Sequence, residues 1–210
     1  MERKSTEHTS DRAQTFTLEA FVAAIILVST VAFGLQAVTM TSNTASAADT
    51  ELRGQHVGLA EGVLDRAVAN GNLKATLLYW NESADRFHGA DEEERFYVSR
   101  SPSTAFGESL DAMFEGSGIR YNVDLHYRDE NGDRETQRLV ESGTPSDDAV
   151  RVVETVTLYD DTVLVDANET PRKNVTLASV DERDEFYAPN VDTDGSLYNV
   201  IRVEVVLWRV

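Results

Sequence analysis

From Ala20 to Leu35 every position is apolar except Ser29, Thr30 and Gly34. With Leu18 before it and Ala37-Val38 after it, the run approaches the roughly 20 residues that a bilayer-spanning helix needs. The pattern predicts a long N-terminal membrane-spanning helix over 14–38, behind a short cytoplasmic leader over 1–13. Arg3, Lys4 and Arg12 precede the run, and only Arg53 follows within the next twenty residues. That asymmetry puts Met1 in the cytoplasm and the C-terminal part of the chain outside a cell membrane crossed once. Glu19 stands where hydrocarbon would begin, and a carboxylate there is expensive unless paired.

Residues 39–50 are rich in Ser, Thr and Ala and read as a linker. Beyond them the apolar period is helical. Leu52, His56, Leu59, Val63 and Ala67 recur at helical spacing, and Asn70-Gly71 is a stop. Gly54, Gly58 and Gly62 fall four apart on one face. Each costs a helix roughly 1 kcal/mol relative to alanine, so three in register imply close approach by a partner. The domain's own sheet is the favoured partner over a neighbouring subunit. "NLKATLLYW" reads as another helical piece. "SPSTAFGESLDAMFEG" reads as a short helix with Ala105, Leu110, Met113 and Phe114 inward.

At Ile119 the period changes to two. Ile119, Tyr121, Val123, Leu125 and Tyr127 alternate with Arg120, Asn122, Asp124, His126 and Arg128, which is a half-buried strand. Asn131-Gly132 predicts a hairpin turn, with "RETQRLV" as the returning strand. "AVRVVETVTLYDD", "TVLVD" and the C-terminal "LYNVIRVEVVLWRV" read as further strands. The last has Val200, Val203 or Val205, and Trp208 partly buried. Helices first and an antiparallel sheet after them make an α+β order, in one extracytoplasmic domain over 51–210.

Charge narrows the setting. The chain holds 37 acidic and 19 basic residues, for a formal net charge of −18. Nucleic acid is excluded as a partner because its phosphates would be repelled. The acids are dispersed, and Lys4, Lys74 and Lys173 are the only lysines. Such a surface suits concentrated salt, where screening shortens carboxylate repulsion to about 3 Å at 1 M. There is no cysteine, so disulfides and thiolate metal sites are ruled out.

Arg12-Ala13-Gln14, then Phe16-Thr17-Leu18-Glu19, then an apolar helix, resembles the class III signal of type IV pilin-like proteins. The resemblance implies cleavage between Ala13 and Gln14 by a prepilin-peptidase-like enzyme. It also implies retention of the helix as an assembly element, and pilin-like subunits or further copies of the chain as partners. Phe16 and Glu19 would then serve assembly. A freed α-amine and a nearby carboxylate tolerate burial only as a pair. After that cut Glu19 is the sixth mature residue, where the bacterial pattern has its acid at the fifth. "AFGESLD", "TLYDD" and the C-terminal strand also resemble haloarchaeal membrane proteins with a pilin-like N-terminus, which implies the same compartment and brings no activity.

Catalytic and cofactor chemistry finds no foothold. His56, His88 and His126 lack metal-ligand spacing. No G-x-S-x-G elbow or glycine-rich phosphate loop is present. Asp129–Asp133 and Asp192–Ser196 lack the spacing of a calcium loop and read as turns. The expectation is no enzyme, no cofactor and no metal. Asn81, Asn168 and Asn174 each open an N-x-[ST] acceptor for glycosylation. The leading expectation is a minor or accessory pilin-like surface or filament subunit of a halophilic archaeon, acting by helix-mediated assembly. Two others stay open: a non-polymerising anchored ectodomain for binding or envelope structure, and a secreted protein released after the A-x-A pattern at Ala45-Ser46-Ala47.

Overall fold

A computed structural model of the protein describes residues 19–31, 51, 53–181 and 185–210. The chain divides into two compact units, Met1–Leu52 and Arg53–Val210. The processing residues Arg12, Ala13 and Gln14, the assembly residue Phe16, the linker 39–50 and Ala47 lie outside the described residues.

In the first unit the described residues 19–31 are helical. Thr30 turns its hydroxyl back onto the Ile26 carbonyl at 2.7 Å, so its polar group is satisfied inside an apolar segment. The expected long membrane-spanning helix over 14–38 is not found among the described residues, of which 19–31 are helical. Among the described residues no helix is long and apolar enough to cross a membrane.

The second unit opens with a helix over 53–69. Gly71, at φ 76°, ends it in the left-handed conformation that glycine adopts without strain. Its core stripe is Ala60, Val63, Leu64 and Ala67, while Leu59 is 40% exposed. The expected stripe through Leu59 is therefore rotated. A short helix, Asn72–Leu77, follows, then β1 (Trp80–Asn81), β2 (Arg86–Phe87) and β3 (Tyr97–Val98). The helix Ala105–Phe114 is capped by Thr104, whose hydroxyl accepts from the Gly107 N–H. It buries Phe106, Leu110 and Phe114; Met113, expected inside, is 38% exposed.

The main sheet holds β3, β4 (Ile119–Arg128), β5 (Arg134–Glu141), β6 (Val150–Tyr159) and β9 (Leu197–Arg209) in the order β3-β5-β4-β9-β6. It is mixed rather than wholly antiparallel, because the edge strand β3 runs parallel to β5. The C-terminal strand β9 sits between β4 and β6, pairing Leu125 with Val203 on one side and Val156 with Ile201 on the other. A small side sheet joins β7 (Val163–Val165) to β8 (Pro171–Thr176), and a short helix, Leu177–Asp181, follows it.

The alternation of β4 divides the two faces. Tyr121, Val123, Leu125, Val203, Val205 and Leu207 enter one apolar cluster with the helical residues Leu64, Phe106 and Leu110. An aromatic group closes this core. Trp80 meets Phe87 edge-on at 5.0 Å and Tyr187 at 5.4 Å, and its ring N–H donates to the Glu185 carbonyl at 2.8 Å. On the outer face, Ser142 and Gly143 fold back over one end of the sheet. The Asn122 side chain donates to the Gly143 carbonyl at 3.0 Å and accepts from the Ser142 N–H at 2.8 Å. Trp208 is buried at this end, while Val200, toward the other, is 41% exposed.

Candidate functional site

Glu19 is exposed at the start of the 19–31 helix. Gly54, Gly58 and Gly62 are exposed too, and a Cβ added at any of them would meet no atom within 4 Å. The domain's own sheet is thus not the partner of the glycine face, contrary to expectation. Helix 53–69 turns its opposite, apolar stripe to the core. Asn168 and Asn174 are exposed, on the β7–β8 turn and on β8. The Asn81 side-chain carbonyl is already occupied by the Ala84 N–H.

The outer face of the main sheet builds the most developed site. Its open end forms a groove of about 490 Å³, lined by His126, Arg128, Arg134, Arg202, Asn199 and Glu204 among others. Alternation puts His126 and Arg128 outward on β4. Strand register then sets Arg128 against Arg134 across the hairpin, and His126 beside Arg202 on β9. Like charges directly opposite are destabilising in a sheet pair. Arg128 is held by its own turn, donating to the Gly132 carbonyl at 2.5 Å. Asn199 fixes the floor by donating to the carbonyls of Arg128 at 2.9 Å and Pro189 at 2.8 Å.

One carboxylate partly offsets these cations. Glu204 is half-buried, 3.5 Å from Arg151, 3.8 Å from Arg202 and 3.9 Å from His126. Beside it Asp124 receives the Arg138 guanidinium at 2.8 Å, and Asp124 and Glu141 hold Arg138 above its usual pKa against the opposing effect of burial. Three arginines and one carboxylate line the groove, and Asp129 and Glu135 lie close to its Tyr127 wall. Guanidinium forks match carboxylates and phosphates alike.

Residues 12–207 match the family of unknown function DUF7288. The chain belongs to that family. No curated protein and no solved structure matches it. The DUF7288 match takes in both the apolar N-terminal segment and the domain that carries the groove.

A second pocket of this DUF7288 chain, also about 490 Å³, is lined by Ser101, Asp111 and Tyr121 with Arg100 and Arg120. Ser101 donates to Asp111 at 2.6 Å and shares a hydrogen bond with the Tyr121 hydroxyl. No imidazole is in this network to activate the serine, and burial pushes Tyr121 up to about 12. The trio ties the 99–104 loop to helix and sheet. The acidic turn at Asp129 uses its carboxylate on its own backbone, accepting from Asn131 and Asp133 N–H groups at 2.9 and 2.7 Å. Sequence reading singled out the polar face of β4 but not the groove, whose other wall comes from β9 through pairing alone.

Proposed function

We propose that this DUF7288 member is a pilin-like surface or filament subunit, of the minor or accessory kind, that assembles through its apolar N-terminal segment and displays the 53–210 domain outside the cell. One observation carries the reading. Helix 19–31 exposes Phe21, Ile26, Leu27 and Val28 at 61–68%, and Val22, Ile25 and Val31 at 48–54%. At 100° per residue these positions surround the helix. A helix apolar all round is one that other helices or lipid must cover. The reading does not need this helix to cross a bilayer alone. The resemblance of Arg12-Ala13-Gln14 to a class III processing site supports it.

The test is the mature N-terminus, read by mass spectrometry on protein from the native host, together with its recovery in sheared filaments. A start at Gln14 or Thr15 with recovery in that fraction is the expected result. A start near Ala48 overturns it in favour of a secreted protein. An uncut Met1 with no filament recovery overturns it in favour of a non-polymerising ectodomain.

A further inference from the structure

We propose that the arginine groove receives the acidic 91–94 loop of a second copy of this chain, in a head-to-tail contact between domains. The contact deepens the assembly reading and rests on it for its setting.

Three observations lead there. First, the groove sets Arg128 directly against Arg134, while Glu204 already stands beside His126 and Arg202. An anion placed between Arg128 and Arg134 relieves their like-charge repulsion. Second, Asp91-Glu92-Glu93-Glu94 is the longest run of acids in the chain. Arg100 takes up Asp91 and Arg86 takes up Glu92, each at 3.0 Å, which leaves Glu93 and Glu94 as exposed carboxylates at the tip. Third, the two features lie at opposite ends of the sheet. Arg134 begins β5, whereas the loop runs into β3, which pairs with Val140 and Glu141 at the end of β5. Seven residue steps at about 3.4 Å separate Arg134 from Glu141 by about 24 Å, and Glu94 lies beside Glu141, Ser142 and Gly143, so the loop tip stands away from its own domain's groove.

A surface that presents guanidiniums at one end and free carboxylates at the other joins copies heterologously, and heterologous contacts propagate as rings or open filaments. High salt does not forbid this contact. Guanidinium–carboxylate hydrogen bonds act at about 2.7–2.9 Å, within the roughly 3 Å screening length of 1 M salt. The longer-range repulsion between two acidic domains is screened.

The chain has no cysteine, so single thiols report cleanly. Full-length Glu93→Cys is mixed with full-length Arg134→Cys under oxidant in molar salt. A disulfide-linked dimer is expected in at least about tenfold the yield of Glu93→Cys mixed with Asn174→Cys, whose thiol sits on exposed β8. The double variant Glu93→Cys/Arg134→Cys gives a ladder. Charge reversal supplies the second arm, read by sedimentation of the full chain in molar salt. Arg134→Glu or Glu93→Arg alone loses the oligomer, and both together in one chain restore it. Equal yields at Arg134→Cys and Asn174→Cys overturn the contact, and so does failure of the double reversal to restore it. If inorganic phosphate raises the melting temperature of the full chain while cross-linking stays at background, the groove is a small-anion site and the contact is wrong. A protein that enters sheared filaments without the specific cross-link loses this contact and keeps the assembly reading. A specific cross-link in a protein never found in filaments keeps the contact and loses that reading.

Discussion

Gly107 packs so tightly under Pro102 that a Cβ on the glycine would lie 1.9 Å from the proline carbonyl oxygen. The same carbonyl accepts the Thr104 N–H at 2.8 Å, which folds the loop over the first turn of the Ala105–Phe114 helix. Gly107→Ala should therefore destabilise the domain by about 1–3 kcal/mol, as overpacking does. Gly58→Ala should do the reverse. Nothing lies within 4 Å of a Cβ there, and alanine improves helix propensity by up to about 1 kcal/mol. Urea midpoints of the two variants should move in opposite directions; a shared direction defeats the distinction between the two glycines.

The contrast between these glycines shows what a sequence carries. Three glycines spaced by four announced an approach that the domain itself does not make, and a single glycine inside a helix gave no sign of one. Local signals fared better. Alternation through Ile119–Arg128 and the Asn131-Gly132 turn located the β4–β5 hairpin, and Gly132, at φ 84°, adopts the conformation that turn needs. β8 was illegible because Pro171-Arg172-Lys173-Asn174 has no alternating apolar face, and it pairs only with a three-residue partner. The parallel β3–β5 edge and the insertion of β9 between β4 and β6 are pairings of distant segments that no local window reports. The groove shares that origin. Arg202 reaches His126 through register, 76 residues away in sequence. The expected membrane-spanning helix rested on an apolar run of which residues 19–31 are described, and no helix among the described residues is long and apolar enough to cross a membrane.

The charge of −18 sets a salt dependence. Lower ionic strength lengthens the range of carboxylate repulsion, from about 3 Å at 1 M to about 30 Å at 0.01 M. The folded domain holds those carboxylates closer together than the unfolded chain does. The melting temperature of the full chain should rise steadily from dilute buffer to molar chloride. An unchanged melting temperature would show that the acids are spaced widely enough to ignore one another.

His88 should make stability sensitive to mild acid. Burial holds its imidazole below the usual 6.5, with Glu82 opposing that shift and Arg172 adding to it. A depressed folded pKa means that the unfolded chain takes up the proton first. The stabilisation is complete above about 6.5 and is lost as pH falls through the folded value. Asp91, Asp129 and Asp166 are also depressed, but their usual value is 3.8, so they act in a separate, more acid window. His88→Gln should flatten the loss of melting temperature between neutrality and the folded His88 pKa while leaving the lower window unchanged. A variant with the wild-type slope would place the titration on another group.

Tyr121 governs the alkaline side. Its hydroxyl is shared with Ser101 and reaches Asp111 at 3.3 Å. Burial pushes its pKa from 10 up to about 12, the Ser101 hydrogen bond opposing and the Asp111 charge adding. With the folded value raised, its stabilisation is fully present below pH 10. Between 10 and about 12 the unfolded chain releases a proton that the folded chain keeps, so stability falls across that interval. Tyr121→Phe should remove this share of the alkaline slope. It should also lower stability at neutral pH by about 0.5–1.5 kcal/mol through the lost hydrogen bonds. Tyr97 and Tyr187 are raised by burial as well, so the wild-type slope is composite and the informative quantity is the difference between wild type and variant. Urea midpoints of both proteins from pH 8 to 12, paired with tyrosinate absorbance, measure it. If the two curves run parallel, Tyr121 ionises alike in both states, and the Ser101–Asp111–Tyr121 contact does not hold the 99–104 loop as described.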